Sequence, residues 1–263
     1  MLRQLPCRIL CAIAALICVS GCGSGDQTPP SRTNLIISAA ISMKAALDEA
    51  QHDYTSANPA ITVACNYGAS GTLGLQIEQG APVDVYLSAS PNQMDDLEAK
   101  GLLLGGTRKN LLKNEIVLIV PKDSPIHISS FRDLARPEVK PIALGESTTV
   151  PAGEYAKEVL TYFGIYDAVK SKALLAKDVR QVLTYVETGN VAAGIVYSTD
   201  AASSSKVKVV ATAPEKSHTP AICPIAVIKT SRNPAAARAF EDFLLGDQVR
   251  AIFQKYGFAA AGS

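Results

Sequence analysis

Short β-branched runs alternate with helical patterns of apolar residues along almost the whole chain. This alternation restricts the fold more than any single motif does. "NLIIS" (34–38) reads as a strand. "SMKAALDEAQHDYTSA" (42–57) reads as an amphipathic helix, with Met43, Ala46, Leu47 and Ala50 at helical spacing. "ITVAC" (61–65) is a second strand, "TLGLQIEQG" a helix and "VDVYLSA" (83–89) a third strand. "PNQMDDLEAKG" is a helix that opens on proline and closes on glycine. Strands joined through helices pair in parallel and need cover on both faces. Two runs are longer, "NEIVLIVPK" (114–122) and "AICPIAVIK" (221–229), and between them the pattern restarts. The expected fold is therefore α/β in two lobes, each a mostly parallel sheet flanked by helices, with the two long runs as hinge strands. The expected limits are 34–114 with 224–263 for the first lobe and 115–223 for the second.

Hydrophobic residues make up 48% of the 263 residues and charged residues 19%, enough apolar material for a substantial core. The formal charge is +1. Residues 1–21 hold Arg3 and Arg8 and no acid, so the remainder carries 23 bases against 24 acids. A chain this close to neutrality has no global field for nucleic acid or an anionic membrane surface. Any anion must be held by local geometry.

The first residues read as an export signal rather than as part of the fold. Arg3 and Arg8 precede the apolar run "ILCAIAALICVS", and "VSGC" follows, ending at Cys22. Small apolar residues before a cysteine resemble a bacterial lipobox. The expectation is a signal peptide over 1–21 and a lipidated tether over 22–33, with Cys22 carrying the lipid. The protein would then be exported and anchored to a bacterial membrane, on its periplasmic or extracellular face. Cys7, Cys11 and Cys18 also lie in the leader. Cys65 and Cys223 sit in strand-like runs and are expected as buried free thiols, and no spacing suggests a metal site. His52, His127 and His218 are expected at the surface.

Four junctions share one character. Ser42 stands in "AAISMK", Ser70 in "GASGTL", Ala152 just after Pro151 in "TTVPAGEY", and Val179 just after Asp178 in "AKDVRQ". In a parallel α/β sheet such helix starts line one edge, where ligands bind. Each offers unpaired N–H groups and about half a positive charge. Several of them together make an anion site without a cationic side chain. Taken alone, a serine at a helix start is usually an N-cap, and Asp178 is expected to cap its helix rather than touch ligand.

With these segments in view, the chain resembles the periplasmic molybdate-binding proteins of molybdate ABC transporters. The likeness runs from about Asn34 to Phe258. It is carried by "AAISM", "YGASGTLGLQIEQGAPVDVYLSA", "VPAGEYAKE", "DVRQVLTYVETG", "AGIVYSTDA" and "YGF". The resemblance implies a two-lobed periplasmic-binding-protein fold of type II that closes around its ligand. It implies capture of molybdate, and of tungstate with it, for an ABC permease. It places the oxyanion on Ser42 and Ser70, on the backbone N–H groups of Ala152 and Val179, and on the hydroxyl of Tyr197. No protein atom would bond the metal directly, no cofactor is implied, and a monomer is expected. Two departures stand out. Ile41 replaces the alanine usual before the first serine and would narrow the pocket, and the lipobox replaces a soluble periplasmic leader.

Other readings remain. The same fold could hold another tetrahedral oxyanion, such as sulfate or thiosulfate. A ferric-ion binder of similar fold uses adjacent tyrosines, and no Tyr-Tyr pair occurs here. A serine hydrolase acting through Ser42 or Ser70 needs a base in reach, and no G-x-S-x-G is present. A purely structural lipoprotein would not need the helix-start donors.

Overall fold

The computed structural model describes residues 32–261. The expected signal peptide, Cys22 and the tether up to residue 31 lie outside the described residues. The first lobe begins with β1 (Thr33–Ala40), a 3-10 turn over Ile41–Met43, and α1 (Lys44–Ala57). Then come β2 (Ile61–Gly68), α2 (Ser70–Glu78), β3 (Val85–Leu87), α3 (Pro91–Ala99) and β4 (Lys109–Lys113). The second lobe holds β5 (Ile116–Pro121), β6 (Ile142–Gly145), α4 (Pro151–Tyr162), α5 (Tyr166–Lys170) and β7 (Ala173–Ala176). It continues with α6 (Val179–Glu187), β8 (Ala193–Tyr197), α7 (Ser198–Ala202) and β9 (Val207–Thr212). The chain returns to the first lobe for β10 (Ile222–Val227), α8 (Pro234–Leu245), α9 (Asp247–Lys255) and β11 (Ala259–Ala260).

The first sheet has the order β11-β4-β10-β3-β1-β2 and the second β7-β6-β8-β5-β9. Both are mixed, where mostly parallel sheets were expected. β1 runs parallel to β2 and β3, and β6 parallel to β7 and β8. β10 is antiparallel to β3 and β4, and β5 antiparallel to β8 and β9. The reason lies in the connections. A parallel partner needs a crossover of a dozen or more residues, usually helical. β5 and β10 arrive from the other lobe without one.

The chain passes from the first sheet to the second through Asn114 and Glu115, and returns over 213–221. Each long run of the sequence thus lies in one sheet, with the crossing at its leading end. Asn114, buried, holds this crossing together. Its N–H donates to Ala221 O at 2.9 Å and its Nδ2 to Thr199 Oγ1 at 3.0 Å; its Oδ1 accepts from Ser198 Oγ at 3.0 Å. Every polar atom of the amide is therefore paired, as burial demands.

Burial follows the strand positions. Leu35, Ile37 and Ala39 of the central β1 are fully buried, each large one contributing about 1.5–3 kcal/mol. β2, at the edge, alternates: Ile61, Val63, Cys65 and Tyr67 pack inward and Thr62, Ala64 and Asn66 face solvent. α1 buries Ala46, Leu47, Ala50 and Tyr54. Met43 packs inward too, from the 3-10 turn rather than the helix. Cys223 is buried and Cys65 partly so, and both are free thiols. His52 and His127 are exposed. His218 corrects the surface reading: it is half-buried, its ring edge-on to Tyr155 at 5.7 Å.

Candidate oxyanion site between the lobes

Three helix starts, one 3-10 turn and one strand end converge on a cavity of about 10 Å³ between the two sheets. Pockets for drug-sized organic ligands run about 300–1,000 Å³, so this one suits something smaller. Ser42, Ser70, Ala152, Val179 and Tyr197 all line it, and so does Ile41. No charged side chain is among the described residues that line it.

Neither serine is the N-cap that its position suggested. α1 has Met43 at its N-cap and α2 has Ala69, and no side chain caps either helix. Ser70 instead opens α2 as its first residue and is fully buried. Its Oγ accepts from the Ala89 N–H at 3.0 Å, and its carbonyl accepts from Tyr86 OH at 2.8 Å. Because Oγ already accepts there, its own proton is directed elsewhere and is available to an acceptor in the cavity.

Ala152 is the second residue of α4, after Pro151. Its N–H belongs to the first turn, where no intrahelical acceptor exists. α4 can start here because Gly153 sits against the end of β6. A Cβ on Gly153 would lie 2.1 Å from Gly145 O, so any other residue would push the helix start out of the cleft. Val179 is the first residue of α6. Asp178 caps that helix, its carboxylate accepting from Gln181 N at 2.8 Å, while Gln181 Oε1 accepts from Lys177 N at 2.8 Å. This reciprocal cap satisfies the Gln181 and Lys177 amides and leaves the Val179 N–H without an intrahelical partner.

Tyr197 ends β8 with its side chain buried. Its hydroxyl donates to Ala89 O at 3.2 Å, across from the second lobe to the first. Burial raises its pKa well above the ordinary tyrosine value, with Tyr155, Cys223 and the acids nearby adding to it. The group therefore stays a protonated donor. Ala89 was not legible in the sequence, because it acts only through its backbone: the N–H meets Ser70 and the C=O meets Tyr197. Asp200, three residues on in α7, does not line the cavity. It is buried, neither carboxylate oxygen has a hydrogen-bond partner, and burial pushes its pKa up to about 7 against the pull of Arg180.

Such a constellation offers neutral donors from both lobes. A fully deprotonated oxyanion, an acceptor at every corner, is its chemical complement. Among the described residues no cluster of His, Cys, Asp and Glu could hold a metal ion directly.

Several known proteins are similar to this chain over most of its length. A Bacillus subtilis protein named "putative ABC transporter substrate-binding lipoprotein YvgL" is 42% identical over 253 residues, covering 95% of this chain and 96% of its own. The molybdate-binding protein ModA of Haemophilus influenzae is 37% identical over 260 residues, covering 95% and 98%. The solved periplasmic molybdate-binding protein of Azotobacter vinelandii shares the fold, with a TM-score of 0.77 at 21% identity over 87% of this chain and 100% of that one. The family profile for bacterial extracellular solute-binding proteins matches residues 35–259. With the profile spanning nearly all the described residues, the chain belongs to the bacterial extracellular solute-binding proteins.

Proposed function

We propose that this protein captures molybdate, and tungstate with it, outside the cytoplasmic membrane and delivers it to an ABC permease. One observation carries the reading: five candidate donors from both lobes line one small cavity that no charged side chain enters. Leaving a dianion there uncompensated would be prohibitive. Charge-assisted hydrogen bonds of about 1.5–3 kcal/mol each, together with the helix starts, offset that cost. Donors without a cation also let the anion leave when the lobes part. The ligand roles of Ser42, Ser70, Ala152, Val179 and Tyr197 are part of this proposal. The names of the Haemophilus and Azotobacter proteins support molybdate in particular.

The same proposal includes an anchor at Cys22, supported by "VSGC" and by the lipoprotein name of the Bacillus relative. It includes closure of two lobes about the crossings near residue 114 and over 213–221, a monomer, and no cofactor. An ester-cleaving role for Ser42 or Ser70 would need a base in reach. The lining residues supply no imidazole, carboxylate or amine.

Calorimetric titration of the protein without its leader tests the reading. Molybdate and tungstate should bind alike. Sulfate is fully deprotonated but smaller, so its oxygens fall short of some donors and it should bind much more weakly. Hydrogen phosphate carries a proton that none of the five proposed contacts is placed to accept, and it should bind much more weakly. Sulfate binding as tightly as molybdate would move the assignment to a sulfate or thiosulfate carrier.

A further inference from the structure

The two lobes meet directly beside the cavity, at a point that admits one residue type. Gly71 follows Ser70 in the first turn of α2, and its N–H donates to Thr149 O at 3.0 Å. Thr149 lies in the loop between β6 and α4, in the other lobe. A Cβ at position 71 would stand 2.8 Å from both Thr149 Cα and Thr149 O. These are backbone atoms, so no side chain can swing aside to make room.

The opposing loop is held as well. The N–H groups of Thr149 and Val150 both donate to Glu146 O, at 3.1 and 2.8 Å. Val150 packs so closely on Gly145 that a Cβ there would lie 2.5 Å from Val150 Cγ1. An added methyl at position 71 can therefore be relieved only by separating the lobes. Nothing within α2 asks for glycine at this position: the backbone is not left-handed, and alanine is the better helix former. The requirement comes from across the cleft. The Gly71 amide is also taken up by Thr149, so this helix start serves the lobe contact where those of α4 and α6 keep first-turn amides at the cavity.

The geometry points to Gly71 as the residue that sets how far the lobes close. Its N–H to Thr149 O is the closing contact, and its missing side chain lets the donors of both lobes reach one ligand. The inference rests on the oxyanion reading of the site. Besides the Tyr197 bond to Ala89 O, another lobe contact lies at the rim, where Asn92 and Gln93 of α3 donate to the Glu154 carboxylate of α4.

Gly71→Ala tests this, with Thr149→Ala as the control that keeps the carbonyl in place. Molybdate should bind Gly71→Ala at least ten-fold more weakly, mainly through faster release. Small-angle scattering of the variant saturated with molybdate should give a larger radius of gyration than saturated wild type. Its ligand-free melting temperature should equal or exceed that of wild type, and Thr149→Ala should bind as wild type does. Wild-type affinity and compaction in Gly71→Ala would overturn the inference, as would a loss of the ligand-free fold. A wild type that binds no oxyanion overturns the functional reading instead. The contact then survives only if ligand-free Gly71→Ala is the more expanded of the two proteins.

Discussion

Val179→Pro should lower molybdate affinity about 100-fold or more while the ligand-free protein stays folded. Position 179 is the first residue of α6, the one helical position where proline is at home. The residue before a proline must be extended, and Asp178 already is, at φ −158° and ψ 167°. The Asp178 cap to Gln181 N needs nothing from the Val179 amide. What proline removes is the N–H proposed to hold the ligand. A hydrogen bond to a charged group contributes about 1.5–3 kcal/mol, ten- to a hundred-fold in dissociation constant. The ring also sets a carbon against an anionic oxygen that then has no partner, which adds to the loss. Val179→Ala keeps the N–H and trims only the wall, so it should bind nearly as wild type does. Calorimetry on both variants reads the difference. A proline variant with wild-type affinity would take the α6 amide out of the site.

Tyr197→Phe should weaken binding by about 1.5–3 kcal/mol, on the order of ten- to a hundred-fold in dissociation constant. The ring is buried and phenylalanine retains its packing. The fold loses only the hydrogen bond to Ala89 O, a neutral pair of about 0.5–1.5 kcal/mol. One hydroxyl proton cannot serve Ala89 and the anion at once, so ligand entry must turn it from one to the other. Because Tyr197 belongs to the second lobe, its contact forms as the lobes close, and the loss should appear mainly as faster release. Stopped-flow dissociation beside the equilibrium titration separates the two rates. A Phe variant with unchanged affinity would place the hydroxyl on Ala89 alone.

Much of this was legible in the sequence because the signals are local. The apolar spacing of α1, the Pro91 and Pro151 helix starts and the Asp178 cap each depend on a few neighbouring residues. The five site positions lie in segments that carry a family resemblance, and the structure gathers all five around one cavity. The rest depends on residues distant in the chain. The antiparallel seating of β5 and β10 follows from how the chain crosses between lobes, which no hydrophobic period encodes. Ser42 and Ser70 read as N-caps by position, yet the caps fall on Met43 and Ala69. Ala89 works through its peptide group, so its side chain carried no hint. Asn114 looked like the first residue of a strand and proved to be a buried tie between crossing segments. Gly71 reads as an ordinary loop glycine until Thr149 is placed against it.

Crystals grown with molybdate and measured at the molybdenum absorption edge test the central claim most directly. The account predicts one strong anomalous peak in the cavity between the lobes. The hydroxyls of Ser42, Ser70 and Tyr197 and the N–H groups of Ala152 and Val179 should lie within about 3.2 Å of its oxygens, with no protein atom bonded to the metal. A peak elsewhere, or oxygens held by a lysine or arginine instead of these five groups, would contradict it.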